Sequence, residues 1–140
     1  MPLRRASGES YYNRIQKGLD VIRANLPNKD SQITSLVFGD LHLEHIRSWR
    51  DKNFGNFDYS LEYPLWKAEY EDLLKDLENS KVPCHVTASS NEEEVQVGSL
   101  FRRDLYEKAI RARIDGFGER GEFHSIAKVW EVESQIALGL

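Results

Sequence analysis

The fold class of this chain is decided by the stretch Ile33-Thr34-Ser35-Leu36-Val37-Phe38-Gly39-Asp40, followed by Leu41-His42-Leu43-Glu44-His45. The stretch begins as an apolar, β-branched run, breaks at Gly39 and leads through a carboxylate into a helical pattern. Open α/β sheets often contain a buried strand that ends in this way, and they bind ligands beyond the carboxyl ends of their strands. The alternative is a core strand that ends in an ordinary turn, with Asp40 capping the next helix.

The composition is that of a single globular domain. The 140 residues include 40% hydrophobic and 30% charged side chains, which is enough to bury a sizeable core. The net charge of −4 predicts no general attraction to nucleic acid or to an anionic membrane surface, and no apolar run approaches the ~20 residues that span a bilayer. The single cysteine, Cys84, excludes an internal disulfide and fits a reducing compartment, so we expect a cytoplasmic protein. Residues 1–7 contain basic residues but no apolar segment, so we do not expect them to be a secretory signal.

Apolar periodicity predicts helices that alternate with strands. The predicted helices cover residues 7–26, 41–53, 67–80 and 103–113, and the predicted strands cover residues 33–38, 58–66, 82–88 and 126–132. Ser7 or Ser10 could cap the first helix. Strands separated by about one helix length favour βαβ units in a parallel sheet. The first strand is apolar on both faces apart from Thr34 and Ser35, so we expect it in the middle of such a sheet, although the chain offers it few neighbours.

A second informative stretch is Asp115-Gly116-Phe117-Gly118-Glu119-Arg120-Gly121-Glu122-Phe123-His124-Ser125. Its glycines allow the backbone to approach a ligand closely and to adopt positive φ angles. Its carboxylates, with His124 beside them, could bind a metal or an amine, or transfer a proton. The alternative is a tight acidic surface loop that precedes a strand.

Histidines near the first stretch raise the possibility of a metal site. Asp40-x-His42 and His42-x-x-His45 have the spacing of metal ligands, and His124 could supply a further ligand. The alternative, which we favour, is a helix start with surface histidines. Ser7-Gly8-Glu9-Ser10 faintly resembles a phosphate-binding loop, but no buried strand precedes it, so we interpret it as a helix cap.

The chain carries three short motifs in order: Val37-Phe38-Gly39-Asp40, Tyr63-Pro64-Leu65-Trp66 and Gly118-Glu119-Arg120-Gly121-Glu122-Phe123-His124-Ser125. Together they resemble the Phe-Gly-Asp-Ile, Pro-Leu-Trp and Gly-Glu-x-Gly-Glu-Phe-His-Thr motifs of the ATP-binding family that includes diphthine–ammonia ligase. This family is also called the N-type ATP pyrophosphatase or adenine-nucleotide alpha-hydrolase-like family. The resemblance runs from about residue 7 to residue 132, and Ser125 keeps the hydroxyl of the family's threonine.

The resemblance implies a Rossmann-like, alpha-hydrolase-like parallel sheet that binds ATP and Mg²⁺. In that family ATP adenylates a substrate, and ammonia then displaces AMP to form an amide. In the ligase the substrate is diphthine on elongation factor two. The implied site residues are Gly39 and Asp40, beside the nucleotide and the substrate, and, on the substrate side, Gly118, Glu119, Gly121, Glu122 and His124.

The family's Ser-Gly-Gly-Lys-Asp-Ser loop does not occur in these 140 residues. We therefore expect a truncated Rossmann-like α/β part over residues 1–90 and a C-terminal α+β substrate-side portion over residues 91–140, joined as one continuous domain. Adenylation requires that the phosphates be held in place, so we expect that the chain alone is not a competent ligase. The alternative is a non-enzymatic binding or assembly module, in which a second copy or another chain covers the exposed sheet edge.

Overall fold

The computed structural model describes residues 10–28 and 31–133 and shows a mixed α/β fold. The elements in chain order are α1 (Tyr11–Ala24), β1 (Ser35–Val37), α2 (Glu44–Phe54), β2 (Ser60–Glu62), α3 (Tyr70–Asn79), β3 (Cys84–Ser89), α4 (Arg103–Arg111), β4 (Phe123–Ala127) and a single 3₁₀ turn at Val129–Glu131. The α/β class predicted from the sequence is therefore confirmed. None of the helices in the described ranges is long and apolar enough to cross a bilayer.

The chain divides into two compact units. The first is drawn from Met1–Phe38 and His45–Pro64, and the second from Gly39–Glu44 and Leu65–Leu140. The division after residue 90 predicted from the sequence falls inside the second unit, between β3 and α4, and it stays a prediction.

Helix α1 supplies one wall of the first unit. Ser10 caps the helix by accepting a hydrogen bond from Asn13 N at 3.2 Å, as a serine at this position should. The alternative cap, Ser7, lies outside the described residues. The buried core of the unit is formed by Leu19 on α1, together with Phe54 and Tyr59.

Strands β1 and β2 form a parallel pair, as the sequence predicted. Ser35 pairs with Ser60 and Val37 with Glu62, and α2 connects the two strands, which completes a βαβ unit. The expectation that residues 33–38 are covered on both faces is wrong, because Val37 is 60% exposed. Within the described ranges, the one strand hydrogen-bonded to β1 is β2, so β1 lies at an edge.

Strands β3 and β4 of the second unit pair in the antiparallel sense, with Cys84 opposite Ala127 and a register shift between Val86 and Ala88. The predicted last strand, residues 126–132, was placed too late, because the strand begins at Phe123 and the chain then turns at Val129–Glu131. Burial explains this difference. Phe123 is anchored in the core of the second unit, whereas the more apolar-looking residues that follow are exposed. The other buried members of that core are Val86, Val95, Phe101, Leu105 and Ala109.

Candidate functional site

Three segments that are far apart in the sequence are joined by hydrogen bonds in the second unit, two of them bonding to the third. They are residues Gly39–Glu44 (the Gly-Asp loop), the turn around Lys67, and residues 115–122 (the glycine-rich loop). Glu119 Oε1 accepts hydrogen bonds from Leu41 N at 2.7 Å and from His42 N at 3.3 Å. Lys67 N donates to Leu41 O at 2.7 Å. Leu41 is buried, so it is the common anchor of all three segments.

The turn around Lys67 holds an unusual backbone conformation. Lys67 has φ of +59°, in the left-handed region that favours glycine. The side chain of Lys67 forms an ion pair with Glu44 of the Gly-Asp loop, with Nζ and Oε1 3.1 Å apart. Backbone and side chain of one residue therefore both tie this turn to the Gly-Asp loop.

Two carboxylates of the glycine-rich loop bind its own backbone. Asp115 Oδ1 accepts hydrogen bonds from Phe117 N at 3.0 Å and Glu119 N at 3.1 Å. Glu122 accepts hydrogen bonds from Asp115 N at 3.3 Å and Arg120 N at 3.0 Å, one on each carboxylate oxygen. These bonds satisfy backbone amides that the tight turn would otherwise leave unpaired. Glu122, predicted to line the substrate side, therefore stabilises the loop.

A glycine is required where this loop approaches β4. Gly118 has φ of +67°, and a Cβ atom there would lie 2.6 Å from Phe123 O. Gly121 also has positive φ, +84°, but a Cβ atom there would have no neighbour within 4 Å. Sterics therefore demand glycine at 118, whereas at 121 only the backbone conformation favours it.

His42 lies between two shielded carboxylates. Its Nε2 is 3.9 Å from Asp115 Oδ2, and its Nδ1 is 4.0 Å from Glu119 Oε1. The His42 side chain is 39% exposed, whereas the side chains of Asp115 and Glu119 are each 12% exposed. The imidazole is therefore the most solvent-exposed of these three side chains.

Tyr70, at the start of α3, completes the cluster. Its hydroxyl donates to Asp115 Oδ2 at 2.8 Å and lies 3.5 Å from His42 Nε2. Its ring packs edge-on against Phe117, with centroids 4.9 Å apart. Burial, followed by the hydrogen bond and the charge of Asp115, raises the pKa of Tyr70 well above its usual value. The phenol therefore stays neutral and available as a donor at physiological pH.

The structure brings together only some of the residues predicted from the sequence. Glu119 bonds directly to the segment that follows Gly39 and Asp40. His124 is separate, because it follows the buried Phe123 on β4 and is itself exposed, with Ala88 as its partner in register. Tyr70 was missed, because the sequence pattern shows it only as an apolar position of a helix. The sequence signal that could have identified Tyr70 is its position four residues after Trp66, where the second motif ends.

The cluster suits a neutral or cationic group better than a polyphosphate or a metal. Phosphate binding uses free backbone amides or cations, but the amides of Leu41, Phe117 and Glu119 already donate to carboxylates. In the part of the chain that the structure describes, no three His, Cys, Asp or Glu side chains are grouped so that they could hold a metal ion. The described residues thus give no geometric support to a metal site built from Asp40, His42, His45 and His124.

Comparisons with known proteins do not place the chain in a family. No protein-family model matches the sequence, and no curated protein matches it significantly.

Proposed function

We propose that this chain is the substrate-side part of an ATP-dependent amide-forming ligase similar to diphthine–ammonia ligase. The observation that carries the proposal is the convergence of the three motifs behind the resemblance. The Gly-Asp loop, the turn after Leu65-Trp66 and the glycine-rich loop are joined by hydrogen bonds at Leu41, although Leu41 and Glu119 are 78 positions apart. The meeting of segments from all three motifs at one buried residue supports a shared site.

In this proposal the residues of the cluster have different tasks. His42 contacts the substrate and offers it a hydrogen bond, because its imidazole is the most exposed side chain among partly buried acids. Glu119 fixes the backbone of the Gly-Asp loop, and Tyr70 fixes the Oδ2 side of Asp115. Asp115 and Glu119 supply a negatively charged surrounding that favours a cationic group such as the quaternary ammonium of diphthine.

The proposal assigns only the substrate side to this chain. ATP and Mg²⁺ enter through the resemblance, and the cluster around His42 does not fit them. We further propose that the β1–α2–β2 unit is part of a Rossmann-like parallel sheet, since both strands run in the same direction with a helical connection. A cytoplasmic location belongs to the same proposal and agrees with the free thiol of Cys84.

Calorimetric titration with elongation factor two tests the proposal. The chain should bind the diphthine-bearing form more tightly than the unmodified form, and His42→Ala should weaken that binding roughly tenfold. His45→Ala is the matched control, since His45 is an exposed histidine on α2 and should leave affinity unchanged.

Two outcomes would overturn the proposal. Equal affinity for the two forms of elongation factor two would show that the chain does not recognise diphthine. Release of AMP from Mg²⁺–ATP by the isolated chain would show a complete ligase rather than its substrate side.

A second candidate function is favoured by the edge of β1. The exposed Val37 belongs to a strand whose described hydrogen-bonded neighbour is β2 alone, and exposed strand edges pair readily with other chains. We propose, as the alternative, an assembly module in which a second copy covers this edge. Sedimentation velocity at high protein concentration should then show a dimer that Val37→Lys dissociates and that Val97→Lys, at an exposed position outside the strands, does not. A monomer at high concentration would reject this alternative.

A further inference from the structure

Lys67 occupies a backbone position that favours glycine. The amide of Ala68 donates to Leu65 O at 3.0 Å, which closes a turn with Lys67 at its third position, and there φ is +59°. Turns with positive φ at this position normally carry glycine. The other described non-glycine residue with positive φ is Arg113, which directly follows the C-cap of α4, where a left-handed residue commonly ends a helix. Lys67 follows a strand and not a helix, so its strained backbone needs another explanation.

The main chain and the side chain of Lys67 contact the Gly-Asp loop on both sides of His42. The amide of Lys67 donates to Leu41 O at 2.7 Å, and its Nζ lies 3.1 Å from Glu44 Oε1. Glu119 holds the same loop through the amides of Leu41 and His42. The loop is therefore attached just before His42 by Lys67 and Glu119, and two residues after it by the Lys67 side chain.

Stability does not explain why this residue is a lysine. The side chains of Lys67 and Glu44 are 65% and 68% exposed, and an ion pair that exposed contributes little to stability. Backbone strain at a left-handed non-glycine residue costs at least as much. A glycine would relieve that strain and could keep the amide hydrogen bond to Leu41. The long cationic side chain adds the attachment at Glu44, which is a second fixed point beside His42.

We propose that Lys67 is a positioning residue for His42. The proposal rests on the function proposed above, in which the imidazole of His42 contacts the substrate. Because Leu41 and Glu44 are both attached to Lys67, the backbone that carries His42 is held at both ends. The imidazole therefore keeps its place beside the two carboxylates of the glycine-rich loop.

Three substitutions of Lys67 separate positioning from stability. Lys67→Arg keeps the charge and should bind diphthine-bearing elongation factor two within about twofold of the wild type. Lys67→Met loses the ion pair and keeps the strained backbone, whereas Lys67→Gly loses both. In calorimetric titrations these two variants should bind about three- to fivefold more weakly, although the urea midpoint of Lys67→Gly should equal or exceed that of the wild type. A residue that only stabilised the fold would change affinity and stability in the same direction.

Hydrogen exchange of the free chain, followed by NMR, tests the positioning without any substrate. The amide of His42 should exchange roughly threefold faster in Lys67→Met than in the wild type, and Lys67→Arg should restore the wild-type rate. The amides of Phe117 and Glu119, in the glycine-rich loop, should exchange at the wild-type rate in all of these variants.

Lys75→Met is the matched control, because Lys75 forms a similarly exposed ion pair with Asp72 on α3, and it should change neither exchange nor affinity. A wild-type exchange rate of His42 in Lys67→Met would overturn the positioning. Unchanged affinity of Lys67→Met, or an equal loss in Lys67→Arg, would overturn it as well. If instead the wild type bound both forms of elongation factor two equally, the proposed function would fail, whereas faster exchange of His42 in Lys67→Met would still support the positioning.

Discussion

The two compact units each contain a tyrosine whose hydroxyl is shielded from solvent, and the two hydroxyls are bonded differently. In the second unit, Asp115, Glu122 and Tyr70 exchange hydrogen bonds with backbone amides and with one another. In the first unit, the hydroxyl of Tyr59 is buried beside the Gln16 side chain and forms no well-aligned hydrogen bond. A satisfied network stabilises the conformation that contains it, whereas a buried donor without a well-aligned partner lowers stability. The comparison therefore predicts different effects on stability when the two hydroxyls are removed.

The largest effect should come from Asp115→Ala in the satisfied network. This change leaves the amides of Phe117 and Glu119 and the hydroxyl of Tyr70 without their acceptor. We expect the free energy of unfolding to fall by about 2–4 kcal/mol, since each buried donor left unpaired is costly. Urea denaturation measures the change, with Glu92→Ala at an exposed position as the control. A loss equal to that of the control would show that the network contributes little.

A smaller effect should follow from Gly118→Ala. The new Cβ would lie 2.6 Å from Phe123 O at a φ of +67°, so both steric overlap and backbone strain oppose the change. We expect a loss of about 1–3 kcal/mol in the free energy of unfolding. Gly121→Ala, with positive φ but open space, should cost about 1 kcal/mol or less. If the two variants were equally stable, the close approach to β4 would not be what requires glycine at 118.

Removing a single tyrosine hydroxyl compares the two units directly. Tyr70→Phe breaks the hydrogen bond to Asp115 and should lower the free energy of unfolding by about 1–2 kcal/mol. Tyr59→Phe removes a hydroxyl that has no partner, so stability should stay the same or rise slightly. Thermal unfolding of both variants beside the wild type measures this difference. If Tyr59→Phe lowered the free energy of unfolding as much as Tyr70→Phe, the expected difference between the two hydroxyls would be wrong.

The smallest effect at neutral pH should come from Arg103→Gln on the surface of the second unit. Arg103 donates hydrogen bonds to Glu71 and Glu78, and these bonds hold the pKa of both carboxyls below the ordinary value of 4.5. A carboxyl whose pKa is lower in the folded state stabilises the fold above its unfolded pKa, and this contribution disappears as the pH falls through the folded pKa.

The wild type should lose stability as the pH falls below about 4.5, the ordinary pKa of these carboxyls, and Arg103→Gln should lose less over the same interval. Urea midpoints measured at several pH values check this expectation, with Arg111→Gln, in a more exposed and longer contact to Glu107, as the control. Parallel pH curves for the wild type and Arg103→Gln would contradict it.

Local sequence patterns were enough to predict the helices and the β1–β2 pair. Apolar side chains that recur every 3.6 residues indicate the helices, and an apolar run that ends at Gly39 indicates β1. Both patterns can be recognised from neighbouring residues alone. The antiparallel pairing of β4 was missed, because it depends on Phe123 reaching a core whose other members come from residues 86–109. A five-residue strand whose burial depends on distant residues carries no periodic pattern of its own.

The candidate site was predictable to a similar extent. Glu119 was identified through its motif, and the structure joins it to the segment after Asp40. Glu122 carries the same carboxylate group as Glu119, so the sequence did not distinguish their roles. The structure shows that both oxygens of Glu122 accept hydrogen bonds from amides of its own loop. The role of Tyr70 depends on where its hydroxyl lies relative to Asp115, which residue types alone do not reveal.

The hydrogen bonds from Leu41 and His42 to Glu119 have a consequence for how the protein forms during translation. After Leu41 has been synthesised, 78 more residues must follow before the carboxylate that accepts its amide proton exists. At ribosomal speeds of about 5–20 residues per second, that interval is roughly 4–16 s. Throughout it, the Gly-Asp loop lacks its acceptor, so the nascent chain completes this loop only after the glycine-rich loop has been made.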